Sequence, residues 1–469
     1  MFLALARVIS EDIRAGRLPA GARLPGSRAL ADRLGVNRST VVAALQELSA
    51  QGWIQTRPGA GTYVADGLPR GVGTSRARRD PERIGFPLGP APVVDLERPP
   101  HRGALVLLGG HPELADWPTD ALARAYRRAL QRRGERLLDY GSPWGEPRLR
   151  ESLAAMLGER RGVVVDADDV LITRGSQMAL DLAARALLRP GDVVAVEALG
   201  YRPAWRALAG AGGRVMPVDV DEGGIDVDAL ARLCRVEPVR AVYLTPHHQY
   251  PTGAVLDAGR RLALLQLARE HGFAILEDDY DNEFHFEGRP VPPLASLDDH
   301  GHVLYIGTLS KALAPGLRLG FCVGPRPLLR HLLAVRVRTD RQGDRVLETA
   351  LAELMEDGVL ARHIRRRHRL YAARRAALVA ALREHLDHLV VLAPPAGGLA
   401  LWCPLRVDVD VDAWIAAARQ RAVWISGGSR YAVDGRPVAA LRIGFARCPV
   451  ERADEAARIL AETCPLARA

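Results

Sequence analysis

Seven short apolar runs, spaced by stretches of helical periodicity, restrict the folds open to this chain more than any other feature. They are Val170–Thr173, Val193–Glu197, Arg214–Val218, Val239–Thr245, Phe273–Glu277, His302–Ile306 and Leu319–Gly324. Most are rich in branched residues without strict alternation, which predicts strands covered on both faces. The segments between them, Asp257–His271 for example, repeat apolar residues at helical spacing. Strands alternating with helices predict an α/β domain with a mostly parallel sheet, placed here over 104–469. Ligands of such sheets bind where strands end at their carboxyl edge, so the polar residues that follow these runs matter most.

The first 66 residues carry a different pattern. Phe2, Leu5, Ile9 and Ile13 recur at helical spacing up to Gly16. Ser27 is placed to cap a second short helix with Leu30 and Leu34 on its buried side, and Gly35-Val36 makes a tight turn. Asn37 then caps a third helix with Val41, Leu45 and Leu48 inward. Two helices joined by a short glycine-containing turn have helix-turn-helix spacing. Two short apolar stretches around Arg57-Pro58-Gly59-Ala60-Gly61 predict a hairpin, the wing of a winged helix. The first 80 residues hold twelve arginines against six acidic residues, a local excess that fits a polyanion such as double-stranded DNA. The N-terminal turn of the third helix is the part that enters the major groove, so Asn37, Arg38, Ser39 and Thr40 are candidate contacts. Arg38 has the reach for a guanine edge or a phosphate, and the sequence leaves both open. Ser39, Thr40 and Arg28 suit phosphates. Arg57, Gly59 and Gly61 belong to the hairpin tip, where glycine lets backbone approach DNA closely.

Between the two patterns, 67–103 lacks periodicity, carries the charge run Arg76–Arg83 and then five prolines, and reads as a linker. No apolar run approaches the roughly 18–20 residues of a membrane span. The N-terminus lacks the order of a secretion signal. The five cysteines are scattered and without CxxC spacing, which predicts neither disulfides nor zinc and fits a reducing cytoplasm. His247-His248 has no carboxylate or cysteine at ligand spacing, so no metal site is predicted. The arginines between Arg124 and Arg136, and between Arg362 and Arg369, read as solvated or interface faces.

Of 64 basic residues, Lys311 alone is lysine. Coding bias explains arginine wherever either cation serves, but an ammonium can lose its proton and attack a carbonyl, whereas a guanidinium stays charged. Lys311 follows a predicted strand in Gly307-Thr308-Leu309-Ser310-Lys311, with Arg318 seven residues on. Hydroxyls and an arginine near a nucleophilic amine suit a phosphate-bearing aldehyde, which is a description of pyridoxal phosphate. Phe273–Glu277 leads into Asp278-Asp279-Tyr280, and a carboxylate there can keep a pyridine nitrogen protonated. Thr173-Arg174-Gly175-Ser176-Gln177 is a strand, a glycine turn and a helix start, whose N–H groups can hold a phosphate.

These motifs resemble known families. Leu24-Pro25-Gly26-Ser27-Arg28-Ala29-Leu30-Ala31, Gly35-Val36-Asn37-Arg38-Ser39-Thr40-Val41 and Gly59-Ala60-Gly61-Thr62-Tyr63-Val64 are similar to the GntR-type winged helix over 1–66. Residues 104–469 resemble the fold-type I aminotransferases, with a mostly parallel large domain and an α+β small domain. That resemblance puts Lys311 at the Schiff-base lysine, and Thr308, Ser310, Arg318, Gly175, Ser176 and Gln177 around the phosphate of pyridoxal 5'-phosphate. It puts Asp278 against the pyridine nitrogen, with the adjacent Asp279 leaving the register open by one. It puts Tyr280 near the ring hydroxyl and Tyr201 on the ring face. Tyr140 stands where a neighbouring subunit lends a tyrosine, which implies a homodimer, and Arg442 stands where a substrate or effector carboxylate is clamped.

One departure stands out. Where aminotransferases carry Asn-Pro-Thr-Gly, this chain has Tyr250-Pro251-Thr252-Gly253, so Tyr250 replaces the asparagine that meets the cofactor hydroxyl. The form His248-Gln249-Tyr250-Pro251-Thr252-Gly253 resembles the MocR subfamily of GntR-type regulators, which fuse a winged helix to an aminotransferase-like domain. The resemblance implies a cytoplasmic, pyridoxal-phosphate-dependent transcription factor that senses an amine, an amino acid or the cofactor. The alternative is a working aminotransferase with a fused DNA-binding domain, and full transaminase turnover is left open.

Overall fold

The computed structural model of the chain describes residues 1–68, 84, 86–89 and 103–465. The chain divides into two compact units, Met1–Glu97 and Arg98–Ala469. The expected linker and its Arg76–Arg83 run lie largely outside the described residues.

The first unit has helices Phe2–Arg14, Ser27–Leu34 and Arg38–Ala50, followed by the antiparallel hairpin Ile54–Arg57 with Gly61–Val64. Arg23–Leu24 adds a third short strand on the free side of Gly61–Val64, which no sequence pattern announced. Ile9, Ile13, Leu24, Ala44, Leu48, Ile54 and Val64 form the core. Two inward positions differ from expectation. Ala31 is buried while Leu34 is 49% exposed, because the eight-residue helix meets the core through its middle and Leu34 is its last residue. Ala44 is fully buried on the third helix with Val41 and Leu48, and Leu45 is half-buried beside it.

The second unit is built on a seven-stranded sheet. From one edge to the other the strands are Val170–Thr173, Gly320–Val323, Val303–Thr308, Ala274–Asp279, Val239–Leu244, Val193–Glu197 and Arg214–Val218. Gly320–Val323 runs antiparallel to both neighbours and the remaining pairings are parallel, so six strands point one way. Apolar clusters cover both faces, as the continuous apolar runs require. The strand through Asp278 runs two residues past its predicted end, with Asp279 in register with Gly307. Its neighbour likewise ends at Thr308. Buried partners, described with the site below, keep these polar residues in the ladder.

A smaller lobe follows. Ala400–Pro404, Ala440–Gly444 and Ser426–Gly427 make an antiparallel sheet, and helices Val359–Leu386, Val411–Gln420 and Ala453–Thr463 close over it. Trp414, Tyr371, Leu378, Leu441 and Phe445 fill its core. Among the described residues no helix is long and apolar enough to cross a membrane.

Candidate functional site

Thr173, Glu197, Leu244, Asp279 and Thr308 all end strands at one edge of the large sheet. Gly320 begins the reversed strand at the same edge, paired with both Thr173 and Thr308. The loops leaving this edge enclose a cavity of about 310 Å³. Ser176, Gln177, Tyr201, Tyr250, Asp278, Tyr280, Thr308, Ser310, Lys311 and Arg318 line it, which gathers ten of the twelve expected cofactor residues. Gly175 stands just behind, against the Arg318 guanidinium. Tyr140 does not reach the cavity: it is 73% exposed, with Arg341 over its ring at 4.4 Å.

Lys311 donates from Nζ to the Gly110 carbonyl at 2.5 Å. Burial, and then the Arg442 and Arg318 charges, lower its pKa to about 8 against the pull of Asp281 and Asp278. A useful fraction of the amine is therefore neutral near pH 7. The structure separates the two adjacent acids. Asp278 lines the cavity, with the Tyr243 hydroxyl donating to Oδ2 at 2.9 Å. Its Oδ1 is buried without a hydrogen-bond partner, and burial raises its pKa to about 7. Asp279 faces the other way, accepting from the Tyr305 hydroxyl at 2.5 Å and paired with Arg161 at 3.6 Å. Successive strand residues point to opposite faces, so only one of the two can serve the cavity.

Opposite the acid lies an anion cradle. Gly175 has φ +77° and caps helix Ser176–Leu187, whose first N–H groups open toward the cavity. A Cβ on Gly320 would sit 2.6 Å from the Gly175 carbonyl carbon, so glycine there allows the reversed strand to press against this turn. Arg318, held in the left-handed region at φ 50°, donates to the Arg174 carbonyl at 3.2 Å. The Thr308 hydroxyl donates to Ser310 Oγ at 3.0 Å. Backbone donors, two hydroxyls and a guanidinium suit a phosphate. An orphaned carboxylate oxygen, an amine of lowered pKa and this cradle on one cavity fit pyridoxal phosphate by donor chemistry.

Arg442 is buried on strand Ala440–Gly444, with its guanidinium carbon 4.4 Å from the centroid of the Tyr250 ring. Its Nε and Nη1 lack hydrogen-bond partners, which leaves two donors for a carboxylate. Tyr250 packs edge-on to Tyr201, Tyr280 and Tyr431. Burial pushes its hydroxyl pKa up. Several site residues escaped sequence reasoning. Tyr243 holds Asp278, and Gly109, Gly110 and His111 close one wall. Beneath the wall the Thr245 hydroxyl donates to Glu197 at 2.8 Å, and burial lifts that acid to about 8. Tyr243 and Thr245 belong to or follow a central strand, a position that could have flagged them. The structure also brings His285, 37 residues beyond His248, to 3.2 Å from that ring, a neighbour that local spacing cannot show.

In the first unit, Asn37 Oδ1 accepts from the Ser39 amide at 2.9 Å and the Ser39 hydroxyl at 2.8 Å, so that oxygen is spent on the cap. Arg38 and Ser39 are exposed beside it, Thr40 is half-buried, and Arg28 is exposed on the preceding helix. Arg57 sits at the tip end of the hairpin opposite Gly61, but its side chain pairs with Asp66 at 3.3 Å and lies over the Tyr63 ring at 4.8 Å, so it braces the wing. Gly59 and Gly61, at φ +74° and +115°, make the tip.

Two units thus stand together on one chain, a winged helix and an aminotransferase-like domain with its strand-edge cavity. Residues 3–64 match the family described as bacterial regulatory proteins, gntR family, and residues 112–460 match aminotransferase class I and II. The probable rhizopine catabolism regulatory protein MocR of Rhizobium meliloti is 34% identical over 93% of this chain and 88% of its own. The HTH-type transcriptional regulator TauR of Rhodobacter capsulatus is 34% identical over 90% and 88%. The α-aminoadipate aminotransferase LysN of Thermus thermophilus, solved with N-(5'-phosphopyridoxyl)-L-leucine, aligns at TM-score 0.72 and 31% identity over 77% of this chain and 92% of its own. The chain belongs to the MocR type of transcriptional regulator, in which a GntR DNA-binding domain is fused to an aminotransferase-like domain.

Proposed function

We propose that this regulator holds pyridoxal 5'-phosphate in the strand-edge cavity and uses it to sense an amine, an amino acid or the cofactor itself. The observation that carries this is the unpartnered Asp278 Oδ1 facing the same cavity as Lys311. Bound there, the cofactor supplies an aldehyde that exchanges between amines, and a ring that draws electrons. Lys311 serves as the resident amine. Asp278 holds a proton on the ring nitrogen, and Tyr201 packs on the ring face. Gly175, Ser176, Gln177, Thr308, Ser310 and Arg318 hold the phosphate. Tyr250 and Tyr280 would serve the ring hydroxyl. With the cofactor held, Lys311 would be the amine that an incoming amine displaces, and Nε and Nη1 of Arg442 would be the donors for a carboxylate on that amine.

The domains run 1–66 for DNA binding, 67–103 as linker and 104–469 for effector binding and dimerisation. Arg28, Asn37, Arg38, Ser39 and Thr40 read a double-stranded operator, with the tip glycines and Arg57 alongside. The protein works in the cytoplasm as a homodimer, in which Tyr140 is given to the partner's site. Release of Lys311 biases the placement of the winged helices, a coupling of two distinct sites.

Lys311→Ala is expected to abolish the visible absorption of lysine-bound cofactor, together with amine-dependent changes in operator binding. A purified variant with the same spectrum and stoichiometry as the parent would overturn the assignment. The competing reading, a working transaminase, needs a full cycle with a second acceptor. The tyrosine cluster around Tyr250, in place of a single asparagine, weighs against it. Sustained turnover of an amino donor with a keto acid, at rates of a dedicated transaminase, is the result that would favour it.

A further inference from the structure

Three histidines meet behind the strand that carries Asp278 and Asp279. His247 and His248 follow the central strand Val239–Leu244, and His285 lies beyond Asp281. One nitrogen from each comes within 4.8 Å of the others. His248 Nε2 and His285 Nδ1 are 3.2 Å apart. Two nitrogens of a tetrahedral zinc site, each about 2.0–2.1 Å from the metal, lie about 3.3 Å apart. His247 is 3% exposed, and neither of its ring nitrogens has a hydrogen-bond partner. A buried imidazole with both nitrogens idle is costly unless something takes a lone pair.

The surroundings have the features of a metal site. His248 Nδ1 donates to Asp281 Oδ1 at 2.7 Å, which fixes the tautomer and leaves Nε2 as the lone-pair donor. His247 Nδ1 and Nε2 are both buried without a hydrogen-bond partner, so a lone pair is available from this ring. Asp279 and Asp281 supply negative charge, against which Arg261 acts in the opposite sense. His285 is only half-buried and its strand bridge is to Gly397, so it links the cluster to the smaller lobe. A Cβ on Gly397 would overlap His248 Nε2, and glycine there keeps the ring edge clear.

We propose that His247, His248 and His285 bind one divalent transition-metal ion of the zinc class, with water completing the shell. Imidazole-only donation suits zinc over magnesium or calcium, which take oxygen ligands. The proton between His248 Nε2 and His285 Nδ1 moves to His285 Nε2, and the metal takes its place with no change in oxidation state. The ion ties the segment that follows Asp278 to the loop at Gly397. The site is separate from the cofactor cavity and does not rest on the cofactor reading.

The test uses the full-length chain without an affinity tag, exposed to Zn²⁺ or Co²⁺ and then desalted. The parent is expected to retain about one metal per chain by mass spectrometry, and the cobalt form to show the visible bands of a tetrahedral ion. His247→Ser and His285→Gln should each lower retention at least about tenfold, as second-layer and ligand losses do elsewhere. Folding of each variant is checked by circular dichroism. A parent that retains no metal and shows no cobalt bands overturns the proposal without any variant. Retention that survives both substitutions overturns it too, since the ion then sits elsewhere, for example at the surface group Glu384, His385 and Asp454.

Discussion

Lys311 shows how much one side chain's surroundings decide. Burial first, then Arg442 and Arg318, bring its pKa from 10.5 to about 8. The neutral fraction of the amine then grows about tenfold per pH unit below that value and saturates above it. Capture of pyridoxal phosphate by the apoprotein should therefore accelerate about tenfold between pH 6 and 7 and level off beyond pH 8. Stopped-flow absorbance reads this directly, and a rate flat across that interval would contradict the lowered pKa. The same shift has a stability consequence. Between about 8 and 10.5 the unfolded chain binds more protons at this amine than the folded chain, so its burden on stability is full below about pH 8 and is relieved as pH rises. The lysine's identity was legible in the sequence, since no other lysine competes with it. The choice between Asp278 and Asp279 was not. Adjacent acids on a strand face opposite ways, and only the distant partners, Tyr243 for one and Tyr305 with Arg161 for the other, tell which faces the cavity.

At the scale of elements, turns and one of the two expected caps were readable; Ser27, expected to cap the second helix, is instead its first residue, and Gly26 takes the cap with no side-chain hydrogen bond. Asn37 was legible as a cap from its place before an apolar helix, and its Oδ1 takes two hydrogen bonds from Ser39. Asn37→Ala should cost the winged helix about 1 kcal/mol, seen as an earlier denaturant midpoint. Operator affinity should fall too as the third helix's first turn loosens. An unchanged midpoint would show that the cap is redundant. Gly320 teaches the converse lesson. In sequence it is one more glycine within a predicted strand, yet three backbone atoms of Gly175 and Ser176 lie within 2.8 Å of where its Cβ would be. Gly320→Ala should therefore destabilise the second unit by about 1–3 kcal/mol and weaken phosphate retention, measurable by thermal melting with and without cofactor. A variant with parental melting and cofactor affinity would mean the turn can retreat. Strand ends, too, depend on contacts from distant parts of the chain. The expected stop before Asp278 followed from polarity, whereas burial against partners from other strands holds the acids in the sheet. Pairing with Arg23–Leu24 was likewise invisible, because two residues make no pattern.

For the whole molecule, the two units were each legible from motifs that cluster at chain positions far apart. What a single chain's pattern leaves open is which residues complete a site in an assembly. Tyr140 is the case in point: its motif matches a cofactor residue, but its ring stands exposed on the chain's surface under Arg341. Exposed Leu130 and Leu138 on the helix leading to it leave apolar surface beside it. A closed two-fold dimer would make the contact isologous, so each chain gives its Tyr140 and receives one. Complementation tests this. Tyr140→Phe chains keep Lys311, and Lys311→Ala chains keep Tyr140. Unfolding and refolding an equal mixture yields hybrids in about half of the dimers, and each hybrid has one site with both native residues if the tyrosine crosses the interface. About a quarter of all sites should then recover the parental response to an amine, read as the spectral change that neither variant gives alone. If Tyr140 serves its own chain, every site in the hybrid lacks one of the two residues, and the mixture will behave as the sum of its parents.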